Sequence, residues 1–518
     1  MRTAAVRLAF VLTLPCFAWA QPNLDAAVER TLKEFNVPGI AVGVVKDGQL
    51  VLAKGYGVRK LGDVAPVTPD TLFGIASNTK AFTAASLAML VDEGKVRWDD
   101  PVIQYLPAFQ MYDPYVTREM TVRDLLVHRS GLGLGAGDLM FFPTSNLSST
   151  EIVRRLRWVR PATSFRSGYA YDNVLYLVAG QVIEAASGKP WDVFVRERFF
   201  KPLGMTHSTT SSTVLKPGMD YATPHAAADG KLEPISLTNL DNNAPAGAIN
   251  SSINDMSRWV AAQLNGGEYN GTRLFSAKQG QEMWSAQTIM PLGNPPGELI
   301  EAKPNFQAYG LGWVVSDFRG TKMVHHTGGL AGMVTRVTLI PSLKLGVLVF
   351  TNQEVGAAFN AVTYTVLDHY LNAPSKDWVA AYATYQKGRV AEAGETVSKS
   401  AAARDVNSKP SLPLLSYAGR FRDAWYGDVL VEAKDGKLLI RFTHSPSLTG
   451  ELVHWQYDTF VARWNDRTLL ADAYVTFSLK PDGKIEGAKM VAVSPLTDFS
   501  FDFHDLYLRP VAADAQPY

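Results

Sequence analysis

The chain has almost no cysteine, and that absence narrows its chemistry at once. Cys16 is the only one among 518 residues, and it lies in an N-terminal segment that reads as removable. Without it, disulfides, Cys-ligated metals and a Cys nucleophile are excluded. An excess of charge is missing too. Fifty Lys and Arg stand against 49 Asp and Glu, a formal net charge of +1, so no basic field exists for nucleic acid or an anionic membrane surface. No nucleic-acid-binding motif, low-complexity tract or fixed-period repeat occurs. Beyond the N-terminal segment no run of about 18 apolar residues is present, which predicts a product without a membrane anchor. What is there is 47% hydrophobic and 19% charged, a globular composition long enough for two domains.

The N-terminal segment has the three parts of a secretory signal. Arg2 and Arg7 are basic, Leu8 to Phe17 is apolar, and Ala18-Trp19-Ala20 is a small-x-small cleavage site before Gln21. It is too short for a stable membrane span. A lipid-anchored reading needs a small residue before Cys16, where Pro15 stands. The expectation is cleavage after Ala20 and a periplasmic or secreted product whose charge is −1 once both arginines are lost.

Periodicity sets out the rest. Asn23 to Phe35 reads as an amphipathic helix, and Ile40 to Val45 and Leu50 to Tyr56 as strands joined by an Asp47-Gly48 hairpin turn. Helices are predicted over Thr121 to Val127, Val174 to Ala186 and Ser252 to Leu264, and from the capping box Ser148-Ser149-Thr150-Glu151 through Val159. Two late strands, Thr335 to Pro341 and Leu345 to Thr351, suggest an antiparallel sheet completed by both ends of the domain, with helices packed on it. Lys376 to Ala403 is polar and helical, and Asn407 to Pro413 is a Pro/Ser linker. From Leu414 short alternating strands with Asp-Gly turns argue a small all-β barrel or sandwich. The division expected is a domain over 21–373, a helical and polar linker over 374–413 and a β domain over 414–518.

Three motifs carry chemistry. Ser77-Asn78-Thr79-Lys80 opens a helical pattern that ends at Gly94. A serine hydroxyl is a poor nucleophile at neutral pH, and a lysine at i+3 lies on the same helical turn, within reach as a base. At a helix N-terminus the serine also meets free backbone N–H groups and a dipole that favours negative charge. Tyr171-Asp172-Asn173 follows just before a helix. His326-Thr327-Gly328-Gly329 sits in a strand-like segment beginning at Met323, where glycines let the backbone approach a ligand and expose an N–H. Strand alternation puts His325 on the opposite face from His326.

In this order and spacing, Ser-x-x-Lys, Tyr-x-Asn and His-Thr-Gly resemble the serine β-lactamase and penicillin-binding superfamily, specifically its class C β-lactamase-related branch. Val37-Pro38-Gly39, Phe73 to Ser77, Thr121 to Leu132, Phe165 to Asn173, Pro202 to Met205 and Pro245-Ala246-Gly247 extend the likeness over about Asn23 to Asn372. It implies an α+β fold, an α/β/α sandwich on an antiparallel sheet, with the active site between the sheet and a helical lobe. The C-terminal part is similar to the lipocalin-like β domain appended to such hydrolases.

The resemblance assigns roles. Ser77 is the nucleophile, Lys80 and Tyr171 form the base system, and Asn173, His326, Thr327 and Gly328 contact substrate. The N–H groups of Ser77 and Gly329 form the oxyanion hole. A lysine beside Tyr171 favours the phenolate, so either group is a candidate first base. No metal or organic cofactor is required, and the partner is a small-molecule or peptide substrate; the oligomeric state stays open. Where β-lactamases commonly carry lysine this chain has His326, mostly neutral at pH 7, which points toward peptide or ester bonds and weak recognition of a substrate carboxylate. The expected activity is cleavage of a D-amino-acid-containing peptide, as in D,D-carboxypeptidases or D-aminopeptidases. The alternatives are a carboxylesterase, a weak class C-type β-lactamase, or a non-turnover penicillin-binding sensor. The β domain is also a candidate roof for the cleft, through Trp425, Tyr426, Trp455 and Trp464.

Overall fold

The computed structural model describes residues 24–512, so the expected signal segment lies outside the described residues. Strand β1 (Gly39–Lys46) shows how the first sheet acquires two buried faces. Ile40, Val42 and Val44 enter one hydrophobic core while Ala41 and Val45 enter another, as the period of two along a strand requires. Asp47 and Gly48, both with positive φ, turn the chain directly into β2 (Gln49–Gly57), the geometry that Asp-Gly favours in a two-residue hairpin.

Six later strands complete this sheet: β3 (Thr288–Ile289), β4 (Gln307–Tyr309), β5 (Val314–Phe318), β6 (Thr321–Leu330), β7 (Met333–Ile340) and β8 (Leu345–Thr351). All pairs are antiparallel, in the order β2-β1-β8-β7-β6-β5-β4-β3. The N-terminal hairpin therefore joins the late strands through β1 and β8, as the sequence order suggested. Helices α1 (Asp25–Glu34), α5 (Gly356–Tyr370) and α6 (Trp378–Ala402) cover one face. Against the other lies α4 (Ile253–Leu264), while α2 (Lys80–Asp92) and α3 (Val174–Ser187) pack on each other within the same hydrophobic core. Lys80 through Leu90 are all buried, so α2 runs through the interior and carries its first residues to the sheet.

Two local expectations need correction. Residues 121–127 form successive turns instead of a helix. The buried Asp124 carboxylate accepts from the Thr121 N–H (3.0 Å) and hydroxyl (2.7 Å) and from Arg129 and Arg166. The N–H groups of Val122 and Arg123 go to the carbonyls of Asp100 and Trp98. Those competing partners occupy the groups a helix would use. At Ser149–Arg155 the capping box is half made. The Ser148 hydroxyl accepts from the Glu151 N–H (3.2 Å), but the Glu151 carboxylate turns to Arg154 and Arg155, and a 3-10 turn over Leu156–Trp158 ends the element.

The second sheet is a nearly closed antiparallel barrel. Its strands are β9 (Gly419–Asp423), β10 (Gly427–Lys434), β11 (Lys437–Phe442), β12 (Thr449–Gln456), β13 (Thr459–Trp464), β14 (Ala473–Leu479), β15 (Ile485–Ala492) and β16 (Arg509–Pro510). The order is β15-β14-β13-β12-β11-β10-β9-β16. Near-closure comes from Ala488 on β15 bridging to Leu508, just before β16, which covers part of the sheet's open edges. Tyr417, Tyr426, Phe460 and Trp464 fill the barrel. These tryptophans and tyrosines do not roof the cleft: Trp425, Tyr426 and Trp464 are core, and Trp455 packs on Tyr474 beneath Arg404.

Candidate active site

Ser77 is placed by a turn between a short strand and α2. Phe73-Gly74 pairs with Asn250-Ser251, after which the chain turns at Ala76 with φ +48, an uncommon conformation for a residue with a side chain. A 3-10 turn over Ala76–Thr79 then leads into α2. Ser77 is half-buried in the cleft wall, while Lys80 is fully buried.

The Lys80 ammonium is held by three oxygens: Ser77 Oγ at 3.0 Å, Asn173 Oδ1 at 2.7 Å and the Ala246 carbonyl at 3.1 Å. It also lies 4.9 Å from the Tyr171 ring centre and 5.1 Å from that of Tyr176. Burial lowers Lys80 to about 7, although the Asp138 and Asp172 carboxylates pull the other way. A neutral amine, able to accept a proton, is therefore present at neutral pH.

Tyr171 behaves differently from the expectation that lysine would favour its anion. Burial pushes the phenol well above its ordinary value, and the Ser77 hydroxyl draws it only part of the way back. Its neighbours are the aromatic rings of His128, Tyr309, His326 and Phe499. Low polarity around the ring disfavours a phenolate more than the nearby ammonium favours it. Tyr171 is held as an O–H donor.

His326 is buried on β6, and its Nδ1 donates to the Thr327 carbonyl (2.6 Å). A carbonyl only accepts, so the proton sits on Nδ1 and Nε2 accepts from the Tyr309 hydroxyl (2.8 Å). Burial, followed by the Lys80 charge, lowers His326 to about 3. The ring is neutral across physiological pH.

The end of β6 supplies an open backbone edge. Strand β5 pairs with β6 only as far as His325, opposite Val314, so His326 to Leu330 are bonded on the β7 side alone. Gly329 lies opposite Val334, whose carbonyl accepts from the Thr351 hydroxyl (2.9 Å) and so faces β8. In an antiparallel ladder Gly329 then directs its own N–H away from β7, toward the free edge and the cleft. Thr327 is exposed at the same edge. A Cβ on Gly329 would meet nothing within 4 Å. On Gly328 it would stand 2.2 Å from the Ile75 carbonyl and 2.9 Å from the Ala76 Cβ. Gly328→Ala is therefore expected to lose about 1–3 kcal/mol of stability by overpacking, measured by denaturant unfolding, while Gly329→Ala unfolds close to the parent midpoint.

Ser77, Tyr171, Asn173 and the His326 to Gly329 strand line one cleft of about 540 Å³. Lys80 lies behind its wall. All the residues singled out from sequence are thus brought together. Three contributors were not read in advance. The first is Asp138, fully buried, which accepts from the Asn173 amide (2.7 Å). The second is Tyr309, the partner of His326. The third is the segment Asp498-Phe499-Ser500, which leaves the barrel after β15 and forms part of the cleft wall. Single-sequence patterns hold no signal for a loop reaching a site so distant in the chain. The lining residues contain two carboxylates, Glu354 and Asp498, and no lysine or arginine; burial raises Glu354 to about 7 and also raises Asp498.

A serine paired with a buried lysine, under a sheet edge in an α/β/α sandwich, defines a serine hydrolase of the β-lactamase-related type. Residues 24–371 match the family model described as Beta-lactamase, and the chain belongs to that family. Residues 403–510 match a domain of unknown function, DUF3471. Among curated proteins, an unguisins hydrolase of Aspergillus campestris is 34% identical over 421 residues, covering 76% of this chain and 74% of its own. An unguisins hydrolase of Aspergillus violaceofuscus is 29% identical over 476 residues, covering 85% and 82%. Among solved structures, the octameric penicillin-binding protein homologue from Pyrococcus abyssi superposes with a TM-score of 0.59 at 22% identity, over 90% of this chain and 97% of that one. That likeness concerns the fold.

Proposed function

We propose that the protein hydrolyses an amide bond in a peptide containing a D-amino acid, through an acyl-enzyme on Ser77, and that it favours substrates bearing a free amino group. The D-configuration rests on the family resemblance. The amine preference rests on one observation: the cleft presents the carboxylates of Glu354 and Asp498 and the neutral His326, with no lysine or arginine lining it. A substrate carboxylate meets no cation on the lining, whereas an ammonium meets the carboxyl oxygens of Asp498 and of Glu354, the latter ionised in part near pH 7.

The chemistry follows from the geometry. Neutral Lys80, 3.0 Å from Ser77 Oγ, takes the hydroxyl proton as Oγ bonds to the substrate carbonyl carbon. The N–H groups of Ser77 and Gly329 receive the oxyanion. The Tyr171 hydroxyl, kept protonated by burial, delivers a proton to the departing amine and is reprotonated from Lys80. Water then attacks the acyl-enzyme and gives its proton to Lys80, which returns it to Ser77 Oγ as the ester bond breaks and the acid is released. Function outside the cytoplasm is part of the proposal, supported by the signal pattern of the first twenty residues.

The test compares D-alanine p-nitroanilide with its N-acetyl derivative and with acetyl-D-alanyl-D-alanine. The free amine is expected to give a kcat/KM at least about tenfold above both others, a difference of about 1.4 kcal/mol. Equal rates for the amine and its acetylated form would end the amine preference. Turnover of p-nitrophenyl esters alone would make the protein a carboxylesterase, and stable penicillin labelling without product release would make it a trap.

A further inference from the structure

Asp138 joins the two parts of the chain at the active site. It is fully buried, and one of its oxygens, Oδ2, accepts two hydrogen bonds. The Asn173 amide donates at 2.7 Å, and Asn173 in turn accepts from Lys80 at 2.7 Å. The second donor is the hydroxyl of Ser500, at 2.8 Å, from the loop that leaves the barrel after β15. The same loop is pinned beside it. The Gly137 N–H donates to Asp502 (2.7 Å), Phe501 packs against Phe142 with ring centres 5.2 Å apart, and Phe499 meets Tyr171 edge-on at 6.0 Å. The other carboxylate oxygen of Asp138, Oδ1, is buried without a hydrogen-bond partner among the described residues.

We propose that Ser500 is a positioning residue for the catalytic base: through Asp138 and Asn173 the C-terminal barrel sets where Lys80 stands and how it is charged. This assigns part of the active site to the domain of unknown function. It rests on the acyl-enzyme reading of Ser77 and Lys80, and not on any particular substrate.

The electrostatic consequence has a definite sign. Asp138 and Asp172 raise Lys80 against burial. Burial raises Asp138, while Asn173, Ser500 and the Lys80 charge favour its ionised form. The other titratable groups facing this chain are Tyr171, Tyr176, His128 and His326 around Lys80 and Asp498 and Asp502 around Asp138. Loss of the Ser500 hydroxyl shifts Asp138 toward its neutral form. Lys80 then loses a counter-charge and gives up its proton at lower pH.

The experiment follows fluorophosphonate labelling of Ser77 in the full-length chain across pH, which needs no knowledge of the substrate. Asp138→Asn is expected to move the acid limb of the rate profile down by about one pH unit, the scale on which one neighbouring charge acts. Ser500→Ala should move it in the same direction by a smaller amount and lower the plateau rate about tenfold. Ser500→Thr should restore both, and Ser500→Ala should add no further shift in the Asp138→Asn background. Ser500→Cys keeps the packing volume with a weaker donor and should follow the alanine variant, which separates hydrogen bonding from folding. A limb that stays in place in Ser500→Ala and Ser500→Cys while the parent protein is labelled overturns the proposal. Absence of labelling in the parent protein removes the acyl-enzyme reading and this one with it.

Discussion

Ser77→Ala is expected to leave a folded protein that neither turns over amide or ester substrates nor binds a fluorophosphonate covalently. The substitution removes one oxygen from a half-buried position in the cleft wall, so its effect on packing is small. Among the cleft-lining residues near Lys80, Ser77 supplies the hydroxyl in contact with its amine. Residual turnover should fall by at least about 10⁴, the range in which removal of a serine nucleophile leaves only binding and oxyanion stabilisation. Intact-mass measurement after incubation with the probe is the direct readout. An adduct of unchanged stoichiometry in the alanine variant would place the nucleophile elsewhere.

Lys80→Met should be the second most damaging change, and it tests the division of labour between Lys80 and Tyr171. Loss of a positioned general base lowers the rate about 10²–10⁴-fold, and labelling of Ser77 is expected to slow within that range. The parent protein should gain activity as pH rises through about 7, where the buried amine loses its proton; in Lys80→Met that limb disappears. The stability effect has the opposite sign to the activity effect. Native Lys80 releases its proton near 7 and the unfolded chain near the ordinary 10.5, so between those values the unfolded state binds more protons. The lysine's contribution to stability therefore rises with pH across that window and is most unfavourable below it. Methionine removes a buried cation and keeps an unbranched chain of similar volume, so the variant should melt no lower than the parent at pH 7 and lose that rise. A parent whose acid limb lies well above pH 9 would mean that Tyr171, not Lys80, takes the first proton.

The barrel loop bears on both predictions. Asp138 raises Lys80, and Ser500 holds Asp138, so the base is tuned from outside the domain that carries the nucleophile. Such an arrangement lets a β-lactamase-type core keep its serine and lysine while an appended domain adjusts the charge around them and narrows the cleft with Phe499. The proposed preference for amine-bearing substrates has the same origin in part, because Asp498 comes from that loop.

Elements whose signal is local were legible in the chain. The Asp47-Gly48 hairpin, the strand at Leu345–Thr351, the helix opening at Val174 and the barrel strands around Asp435-Gly436 all fall where periodicity and turn chemistry put them. Thr121 to Val127 is not helical because its backbone and side chains are claimed by Asp100, Trp98, Arg129 and Arg166, of which only Arg129 is near enough in sequence for a local window to contain. The aromatics of the barrel were seen as large and apolar, but that none of Trp425, Tyr426, Trp455 and Trp464 lines the cleft depended on closure of the sheet. Closure is set by a bridge between Ala488 and Leu508.

By itself the sequence determined that an unusual serine and a lysine share one helical turn, that a tyrosine and an asparagine follow together, and that a glycine-rich strand comes last. These are short-range facts, fixed by residue type and spacing. Only the tertiary structure decided their protonation. Lys80 is depressed, Tyr171 raised and His326 neutral because each is buried among groups far away in the chain, such as Ser500 and Asp138, 362 residues apart. Burial and Coulomb terms are sums over spatial neighbours, and a linear order does not contain them until the chain has folded.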